Sequence, residues 1–240
     1  MGDSLAGKGV ILAGGSGGLG SATAELLAAE GARLVVSYLQ DAARASRWRN
    51  EATVVQADIR RPEDRARLLN AAPDLYGLVV FSGIPARVSG PADLERAMTA
   101  SCEANFLGPI LLAREAAGRM EASGTPGAIV LLSTMQAAAV FPGSTAYAAP
   151  KAALAHAARI LAKECRGRLN IRVNVVHPGV NAAGMAEASI ASGKYQRFLD
   201  DGMISRYGRA ADVARAVRFF LEPDNYITGQ ALTVDGGLTL

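Results

Sequence analysis

Short runs of apolar residues alternate along the chain with longer segments in which apolar side chains recur every three or four positions. The runs have the length of β-strands buried on both faces, and the periodic segments favour amphipathic helices. Strands are predicted near 9–13, 33–37, 53–57, 78–82, 128–133, 171–176 and 231–234, and helices near 18–30, 62–71, 92–118, 145–166 and 210–221. Strict alternation of strand and helix predicts an α/β fold, with one doubly wound parallel sheet of about seven strands and helices on both faces.

A glycine-rich turn follows the first predicted strand. The chain runs from Ala13 through Gly-Gly-Ser-Gly-Gly-Leu to Gly20, then into a helical pattern and the second strand. In such a βαβ unit, glycines let the backbone approach a diphosphate, and the helix N-terminus supplies N–H donors and a positive dipole end. The predicted nucleotide contacts of the turn are Gly14, Ser16, Gly17, Gly18, Leu19 and Gly20.

A tyrosine and a lysine stand four positions apart at the start of the fourth helical segment. Tyr147 and Lys151 therefore share one face of a helix. A lysine ammonium beside a phenol lowers the phenol pKa from its ordinary value of ~10. The pair is therefore predicted to transfer protons, with Tyr147 as the acid or base.

These motifs together resemble the short-chain dehydrogenase/reductase family, and in particular its 3-oxoacyl-ACP-reductase-like members. The spacing Gly14-x-x-x-Gly18-x-Gly20 resembles the family's turn. Segments 174–179 and 234–237 resemble the loop over the nicotinamide and the C-terminal signature. The resemblance covers nearly the whole chain. It implies one Rossmann-type domain over residues 1–240 and an NAD(P)-dependent oxidoreductase that interconverts a carbonyl and a secondary alcohol.

The resemblance also implies roles for four catalytic candidates. Tyr147 is the general acid or base, and Lys151 lowers its pKa and binds the nicotinamide ribose. Asn105 holds a water that links Lys151 to solvent. Thr134 hydrogen-bonds the substrate oxygen, at a position where the family usually has serine. The neighbouring Ser133 is the alternative donor, but we favour Thr134 because successive strand side chains point to opposite faces.

Further nucleotide contacts are implied where the predicted strands end. They are Ser37, Asp58, Ile59, Ser82, Gly83, Tyr147, Lys151, Pro178, Gly179 and Val180. About 20 residues past a glycine turn, an acidic residue usually binds a free ribose 2′-hydroxyl. Ser37 and Tyr38 occupy that place, so we predict NADP in preference to NAD. Ser16 and Ser37 are candidate donors to the 2′-phosphate, and Lys8 or Arg44 would add positive charge.

Two departures from the family pattern keep other functions open. Ala183 replaces a common threonine, and Val80–Gly83 replaces the usual Asn-Asn-Ala-Gly. One alternative is a nucleotide-binding sensor or structural subunit without redox turnover, and another is an epimerase or lyase with no net redox change. Segment 181–205 is where the family closes a lid over its substrate, and its composition favours a mainly apolar ketone or a 3-oxoacyl group.

Composition narrows the partners further. A net charge of only +3 argues against a nucleic-acid binder, and the apolar runs are shorter than a membrane helix requires. Two cysteines provide no metal-binding spacing, and residues 1–4 lack the pattern of a secretory leader. We therefore expect a cytoplasmic protein that acts on a small-molecule carbonyl or alcohol. The resemblance implies a homotetramer or a homodimer.

Overall fold

The computed structural model describes residues 5–86, 88, 90–167 and 169–240. Residues 1–4, on which the prediction about a leader rests, lie outside the described part. The strands are β1 (Gly9–Ala13), β2 (Arg33–Tyr38), β3 (Ala52–Gln56), β4 (Leu75–Val80), β5 (Gly127–Leu132), β6 (Ile171–Pro178) and β7 (Ala231–Val234). The α-helices are α1 (Gly18–Ala29), α2 (Ala42–Ser46), α3 (Pro62–Asn70), α4 (Leu94–Cys102), α5 (Gly108–Ala122), α6 (Thr145–Glu164), α7 (Glu187–Ala191), α8 (Gln196–Asp200) and α9 (Ala210–Leu221).

All seven strands pair in parallel, in the order β3-β2-β1-β4-β5-β6-β7. The central strands β1, β4, β5 and β6 are buried along their whole length. Burial on both faces explains why their sequences are apolar throughout instead of alternating. The predicted doubly wound sheet is confirmed.

Each face of the sheet carries its own hydrophobic core. One core packs α3, α5 and α6 against the sheet, around residues such as Leu68, Leu112 and Leu154. The other packs α1 and α9, with Leu27 and Phe220 among its members. Within the described residues, no helix combines the length and the hydropathy needed to cross a bilayer.

The helix predicted over 92–118 is wrong as a single element. A short 3₁₀ turn at Pro91–Asp93 leads into α4, a π-helical segment at Glu103–Leu107 follows, and α5 then runs to Ala122. Apolar periodicity does not distinguish one long helix from two helices joined by a wider turn, because a single π turn shifts the register by only one residue. The π segment contains Asn105, one of the predicted catalytic residues.

Segment 181–205 is built from short helical pieces. A 3₁₀ turn at Gly184–Ala186 is followed by α7 and α8, and Gly184, Gly193 and Gly202 all have positive φ, between 62° and 75°. Glycine is favoured at these three positions, because residues with a side chain rarely adopt a positive φ. Phe198 of α8 is buried in a third, smaller apolar cluster. We call residues 181–205 the lid.

Candidate active site

The carboxyl ends of β1 and β4 form the crevice that carries the site. These strands are neighbours, but the chain proceeds from β1 to β2 on one side and from β4 to β5 on the other. Ligands of such sheets bind at this switch point. The glycine turn follows β1, and Phe81 and Ser82, which follow β4, both donate from their backbone N–H to the carbonyl of Ala13.

The glycine turn is a cradle in which added side chains would clash. A Cβ on Gly14, which has φ of 74°, would lie 2.9 Å from the Ser82 hydroxyl oxygen, and a Cβ on Gly20 would lie 2.6 Å from the Cα of Gly15. The turn is followed directly by α1, whose first N–H groups lack helical partners. A bare backbone at a helix N-terminus fits a dinucleotide diphosphate.

Ser37 lies beneath this turn and does not face the nucleotide crevice. Its side chain is 1% exposed, and its hydroxyl oxygen accepts a hydrogen bond of 2.9 Å from the Gly14 N–H. Ser16 is also buried, and its N–H faces the Ser37 carbonyl at 3.4 Å. The expectation that Ser37 donates to a 2′-phosphate is wrong in this structure. Ser37 holds the shape of the turn instead.

The two positive candidates for the 2′-phosphate are separated by the sheet. Lys8 precedes β1 at the opposite edge, and its ammonium lies over the Tyr76 ring, 4.8 Å from the ring centre. Arg44 lies in α2, directly after β2. Its backbone N–H is capped by the Asp41 carboxylate, while its side chain is half-exposed and its Nε lies 3.6 Å from that carboxylate. Only Arg44 is on the side of the predicted nucleotide.

Tyr147 and Lys151 lie on one helix, but the lysine does not act on the phenol as predicted. The Lys151 side chain is 2% exposed, and its ammonium donates to the Leu132 carbonyl at 2.7 Å, where β5 ends. Burial lowers the pKa of Lys151 to about 8. Burial, with a smaller contribution from Tyr195, raises the pKa of Tyr147 to about 12. The predicted lowering of the Tyr147 pKa is therefore wrong here, because the ammonium is directed at the strand end.

Asn105 and Lys151 meet at Gly83. A Cβ on Gly83 would lie 2.5 Å from the Asn105 side-chain oxygen and 3.3 Å from the Lys151 ammonium, so only glycine fits between them. The Asn105 amide pairs with the backbone of Ile84 in both directions, at 3.0 Å each, and donates to the Ser101 hydroxyl at 2.8 Å. The π segment thus presents Asn105 to the chain leaving β4, and its side chain holds that chain in place.

The structure separates the roles of Ser133 and Thr134. The Ser133 hydroxyl donates to the Lys151 carbonyl at 2.9 Å and so ties β5 to α6. The Thr134 hydroxyl oxygen accepts only a 3.3 Å hydrogen bond from the Gln136 N–H. The buried imidazole of His177 interacts with the Thr134 backbone, although burial is the larger effect and lowers the pKa of His177. Thr134 therefore keeps a hydroxyl that can donate to a ligand.

The remaining predicted contacts lie at other strand ends. Asp58 forms a bidentate ion pair with Arg60, which lowers the Asp58 pKa, and the Ile59 side chain is buried in the core. Gly179 follows β6, and a Cβ added to Gly179 would lie 2.6 Å from the Cα of Asp235. Pro178 ends β6, and Val180 packs in the small lid cluster. Asp58 is therefore partly neutralised, and Ile59 can offer a ligand only its backbone.

The lid rests on the glycine turn. A Cβ on Gly18 would lie 2.7 Å from the Gly184 nitrogen and 3.2 Å from the Ala183 side chain. The Gly184 N–H is held by the Glu187 carboxylate at 2.7 Å. Ala183, which replaces the family's threonine, therefore lies beside the nucleotide cradle and leaves room that a larger residue would fill.

Three residues of the site were not predicted from the sequence. The Leu132 carbonyl, which accepts a hydrogen bond from Lys151, could not be predicted from the sequence, because every residue has a backbone carbonyl. Ser101 was detectable, since it lies four positions before Asn105 on the same helical side. Tyr195 was noted only as part of the lid, and no pattern connected it with Tyr147.

Comparisons with known proteins identify the family of this chain. Residues 13–239 match the family model described as enoyl-(acyl carrier protein) reductase. An NADPH-dependent aldehyde reductase-like chloroplastic protein of Arabidopsis thaliana is 32% identical over 97% of this chain and 94% of its own length.

Two solved structures are similar over almost the whole chain. One is a short-chain type dehydrogenase/reductase from Mycobacterium ulcerans, with 25% identity, a TM-score of 0.89 and coverage of 99% of this chain and 91% of that chain. The other is a 7α-hydroxysteroid dehydrogenase in complex with NADH and 7-oxo glycochenodeoxycholic acid, with 29% identity, a TM-score of 0.88 and coverage of 98% and 95%. The chain thus belongs to the short-chain dehydrogenase/reductase family and is an NAD(P)-dependent oxidoreductase acting on carbonyl and alcohol groups.

Proposed function

We propose that this enzyme reduces a ketone or 3-oxoacyl group with NADPH, and that Tyr147 gives the proton to the carbonyl oxygen. The observation that carries the proposal is that Lys151 and Asn105 meet at Gly83 beside the glycine cradle, with Tyr147 one turn before Lys151 on α6 and Thr134 just after β5. The bound nicotinamide supplies the hydride. The rest of the chemistry is positioning and proton transfer by side chains of this chain.

Each side chain has a task that follows from its place. Thr134 donates its hydroxyl to the substrate oxygen and orients the carbonyl toward Tyr147. A phenol with a pKa of about 12 carries its proton at neutral pH but is a weak donor, so its pKa must fall before it acts as an efficient acid. Lys151 must leave the Leu132 carbonyl to lower that pKa. The partner toward which it would turn is the nicotinamide ribose, whose hydroxyls can accept from an ammonium.

NADPH is favoured over NADH by charge at the end of β2. No acidic residue stands at Ser37 or Tyr38, and the first acid after them, Asp41, is occupied in capping α2. The exposed guanidinium of Arg44 can bind a 2′-phosphate with charge-assisted hydrogen bonds. The similar Arabidopsis protein is named as NADPH-dependent, whereas the similar hydroxysteroid dehydrogenase was solved with NADH.

Removal of the phenol tests the assignment directly. Tyr147→Phe is expected to reduce NADPH-driven ketone turnover by at least a hundredfold, the lower range of general acid–base catalysis, because it removes the proposed proton donor. Its affinity for NADPH, measured by fluorescence titration with NADH as competitor, should stay within about threefold of wild type.

Three outcomes would contradict the proposal in different ways. Full activity of Tyr147→Phe would remove Tyr147 from catalysis. Preference for NADH would overturn the nucleotide assignment only. Tight nucleotide binding with no turnover of any ketone by the wild-type enzyme would favour a non-redox sensor.

We also propose a homotetramer or homodimer. Support comes from α4, the π segment and α5, where Leu94, Leu107 and Leu111 are each at least 40% exposed. These side chains line two shallow clefts that share Glu103 and Leu107. A cytoplasmic location stays a prediction from the sequence.

A further inference from the structure

The loop that follows β3 is held in place by side chains of α3. The Asp64 carboxylate accepts a hydrogen bond from the Asp58 N–H at 2.8 Å. The Arg65 guanidinium donates to the carbonyls of Ile59 and Arg60, at 3.1 and 3.2 Å. Asp58 and Ile59 are predicted nucleotide contacts, so α3 sets the shape of a loop on which the cofactor would rest.

Arg65 is a buried cation that joins this loop to a second helix. Its side chain is 6% exposed, and its Nε lies 2.9 and 3.1 Å from the two carboxylate oxygens of Glu115 in α5. A second nitrogen of the guanidinium also lies 2.9 Å from that carboxylate. Glu115 therefore occupies one edge of the planar group and leaves the third nitrogen for the two loop carbonyls. Only the fork of an arginine can serve both partners at once.

Helix α5 also contacts the loop at its first residue. A Cβ on Gly108 would lie 3.1 Å from the Ile59 side chain and 3.2 Å from the Ile59 carbonyl oxygen. Ile59 is itself only 4% exposed. Without Arg65 its carbonyl would be buried and unpaired, which costs free energy unless the loop moves. The position of the loop therefore depends on Arg65.

One backbone donor of this loop has no acceptor within the described part of the chain. The N–H groups of residues 57, 58, 60 and 61 all donate hydrogen bonds, whereas that of Ile59 does not. The peptide between Asp58 and Ile59 is held by its carbonyl, which accepts from the Arg61 N–H at 2.9 Å. In a trans peptide the C=O and the N–H point in opposite directions. The Ile59 N–H is thus turned away from the loop's own hydrogen bonds and is open to a ligand.

The place of this donor in the sheet indicates which ligand group it meets. The glycine turn follows β1, and β3 lies two strands to one side of it. The end of β5, where the Lys151 ammonium is bound, lies two strands to the other side. A dinucleotide with its diphosphate on the glycine turn and its nicotinamide toward Lys151 extends its adenosine half toward β3. The ring nitrogens of adenine are hydrogen-bond acceptors.

We infer that Arg65, oriented by Glu115, is a positioning residue for the adenosine half of the cofactor. It acts through the loop, by fixing the Ile59 N–H where that group donates to the adenine base. This inference rests on the proposed function, which requires NADPH on the glycine turn. Loss of Arg65 therefore weakens binding of the adenosine half and leaves binding of the nicotinamide half unchanged.

Fragments of the cofactor separate the two halves. Adenosine 2′,5′-bisphosphate represents the adenosine half, and reduced nicotinamide mononucleotide represents the other. Their dissociation constants and that of NADPH can be measured by isothermal titration calorimetry. Arg65→Met keeps an unbranched side chain but removes the donors. It should weaken NADPH and the bisphosphate about threefold to tenfold, the worth of one neutral hydrogen bond. Binding of the mononucleotide should stay within about twofold of wild type, which a generally loosened fold would not allow.

Arg218→Met is the matched control. Arg218 joins α9 to Glu30, with its Nε 2.7 Å from both carboxylate oxygens, and its side chain is 19% exposed. This variant also removes an ion pair formed by a helix, but one that has no contact with the loop after β3, so all three affinities should be unchanged. Arg65→Lys is the second test variant, should the methionine variant not fold. It keeps the charge beside Glu115 but lacks the fork, and it should show the same selective loss.

The outcomes distinguish this inference from the proposed function. Unchanged affinity of the Arg65 variants for the bisphosphate, or equal weakening of both fragments, would overturn the role of Arg65 while the wild type still binds NADPH. A wild-type protein that binds neither NADPH nor either fragment would overturn the proposed function, and this inference with it.

Discussion

The Lys151 ammonium is a buried charged group, and it donates a hydrogen bond to the Leu132 carbonyl. Its pKa falls from 10.5 to about 8 because burial penalises the charged form. At pH 7 the group is still protonated in both the folded and the unfolded chain. The folded protein therefore bears the desolvation cost of a residue that the proposed chemistry requires, a trade between stability and activity.

Replacement of Lys151 by methionine should therefore stabilise the fold. The difference between pKa values of 10.5 and about 8 corresponds to a cost on the order of 3 kcal/mol below pH 8. Loss of the hydrogen bond to Leu132 offsets about 1 kcal/mol. We expect Lys151→Met to raise the free energy of unfolding at pH 7 by about 2 kcal/mol, as measured by urea denaturation, and to abolish turnover.

The same pKa difference predicts how the free energy of unfolding changes with pH. Between pH 8 and 10.5 the unfolded chain binds the Lys151 proton and the folded one releases it, so the wild-type free energy of unfolding rises with pH in that window. In Lys151→Met this rise should be flattened. Lys163→Met, at an exposed position of the same helix, is the control and should keep the wild-type slope. A destabilised Lys151→Met with an unchanged slope would show that the ammonium is not buried.

At the residue scale, sequence predicted the element that carries a side chain better than the groups that the side chain contacts. The spacing of Tyr147 and Lys151 placed both on one face of α6. It could not reveal that the ammonium extends to Leu132, 19 positions earlier in the chain, because that contact depends on how α6 packs on β5. Ser37 failed for the same reason. Its place at a strand end was predicted, but the neighbouring turn decides which way its hydroxyl faces.

At the element scale, the contact between glycine turn and lid makes a sharp prediction. Gly18→Ala would place a methyl 2.7 Å from the Gly184 nitrogen, which lies on backbone that cannot move without shifting the lid. We expect the affinity for NADPH, measured by fluorescence titration, to fall at least tenfold, because the methyl displaces both the glycine turn and the lid. The Tm should change little, because Gly18 is the first residue of α1.

Gly118→Ala is the matched control for that variant. Gly118 lies in α5, and no atom lies within 4 Å of an added Cβ. Alanine is the better helix former by about 1 kcal/mol, so the control should be as stable as wild type or more stable, with unchanged NADPH affinity. Equal affinities in Gly18→Ala and Gly118→Ala would mean that the lid does not rest on the turn in solution.

The elements that sequence missed are the short ones. Helices α7 and α8 have five residues each, and isolated helices of that length do not form without tertiary contacts. The lid exists as structure because Phe198 and Ile204 pack in one cluster with Met135 and Leu238, which come from distant parts of the chain. By contrast, the long helices and buried strands follow directly from their apolar periodicity.

At the scale of the whole molecule, the sheet dictates where the site forms. Parallel strands buried on both faces place every strand end at one edge, and the switch between β1 and β4 opens a crevice there. The turn after β1 could be predicted on this ground to bind the nucleotide, whereas Asn105 and Tyr147 lie on helical segments and were assigned to the site by the family resemblance. The identity of the substrate could not be predicted, since it depends on how the lid packs over the site.

The outer surface of α4 and α5 gives the last prediction. Leu107 and Leu111 are 45% and 40% exposed and lie one turn apart, where a single chain would leave them in water. If this face joins two copies, Leu107→Glu buries a carboxylate in an apolar interface and should convert a dimer or tetramer into a smaller species in sedimentation velocity. Val140→Glu, at a position 95% exposed in the loop before α6, is the control and should sediment as wild type. A wild-type enzyme that sediments as a monomer at micromolar concentration would rule the oligomer out, and a Leu107→Glu enzyme that stays oligomeric would place the interface on another face.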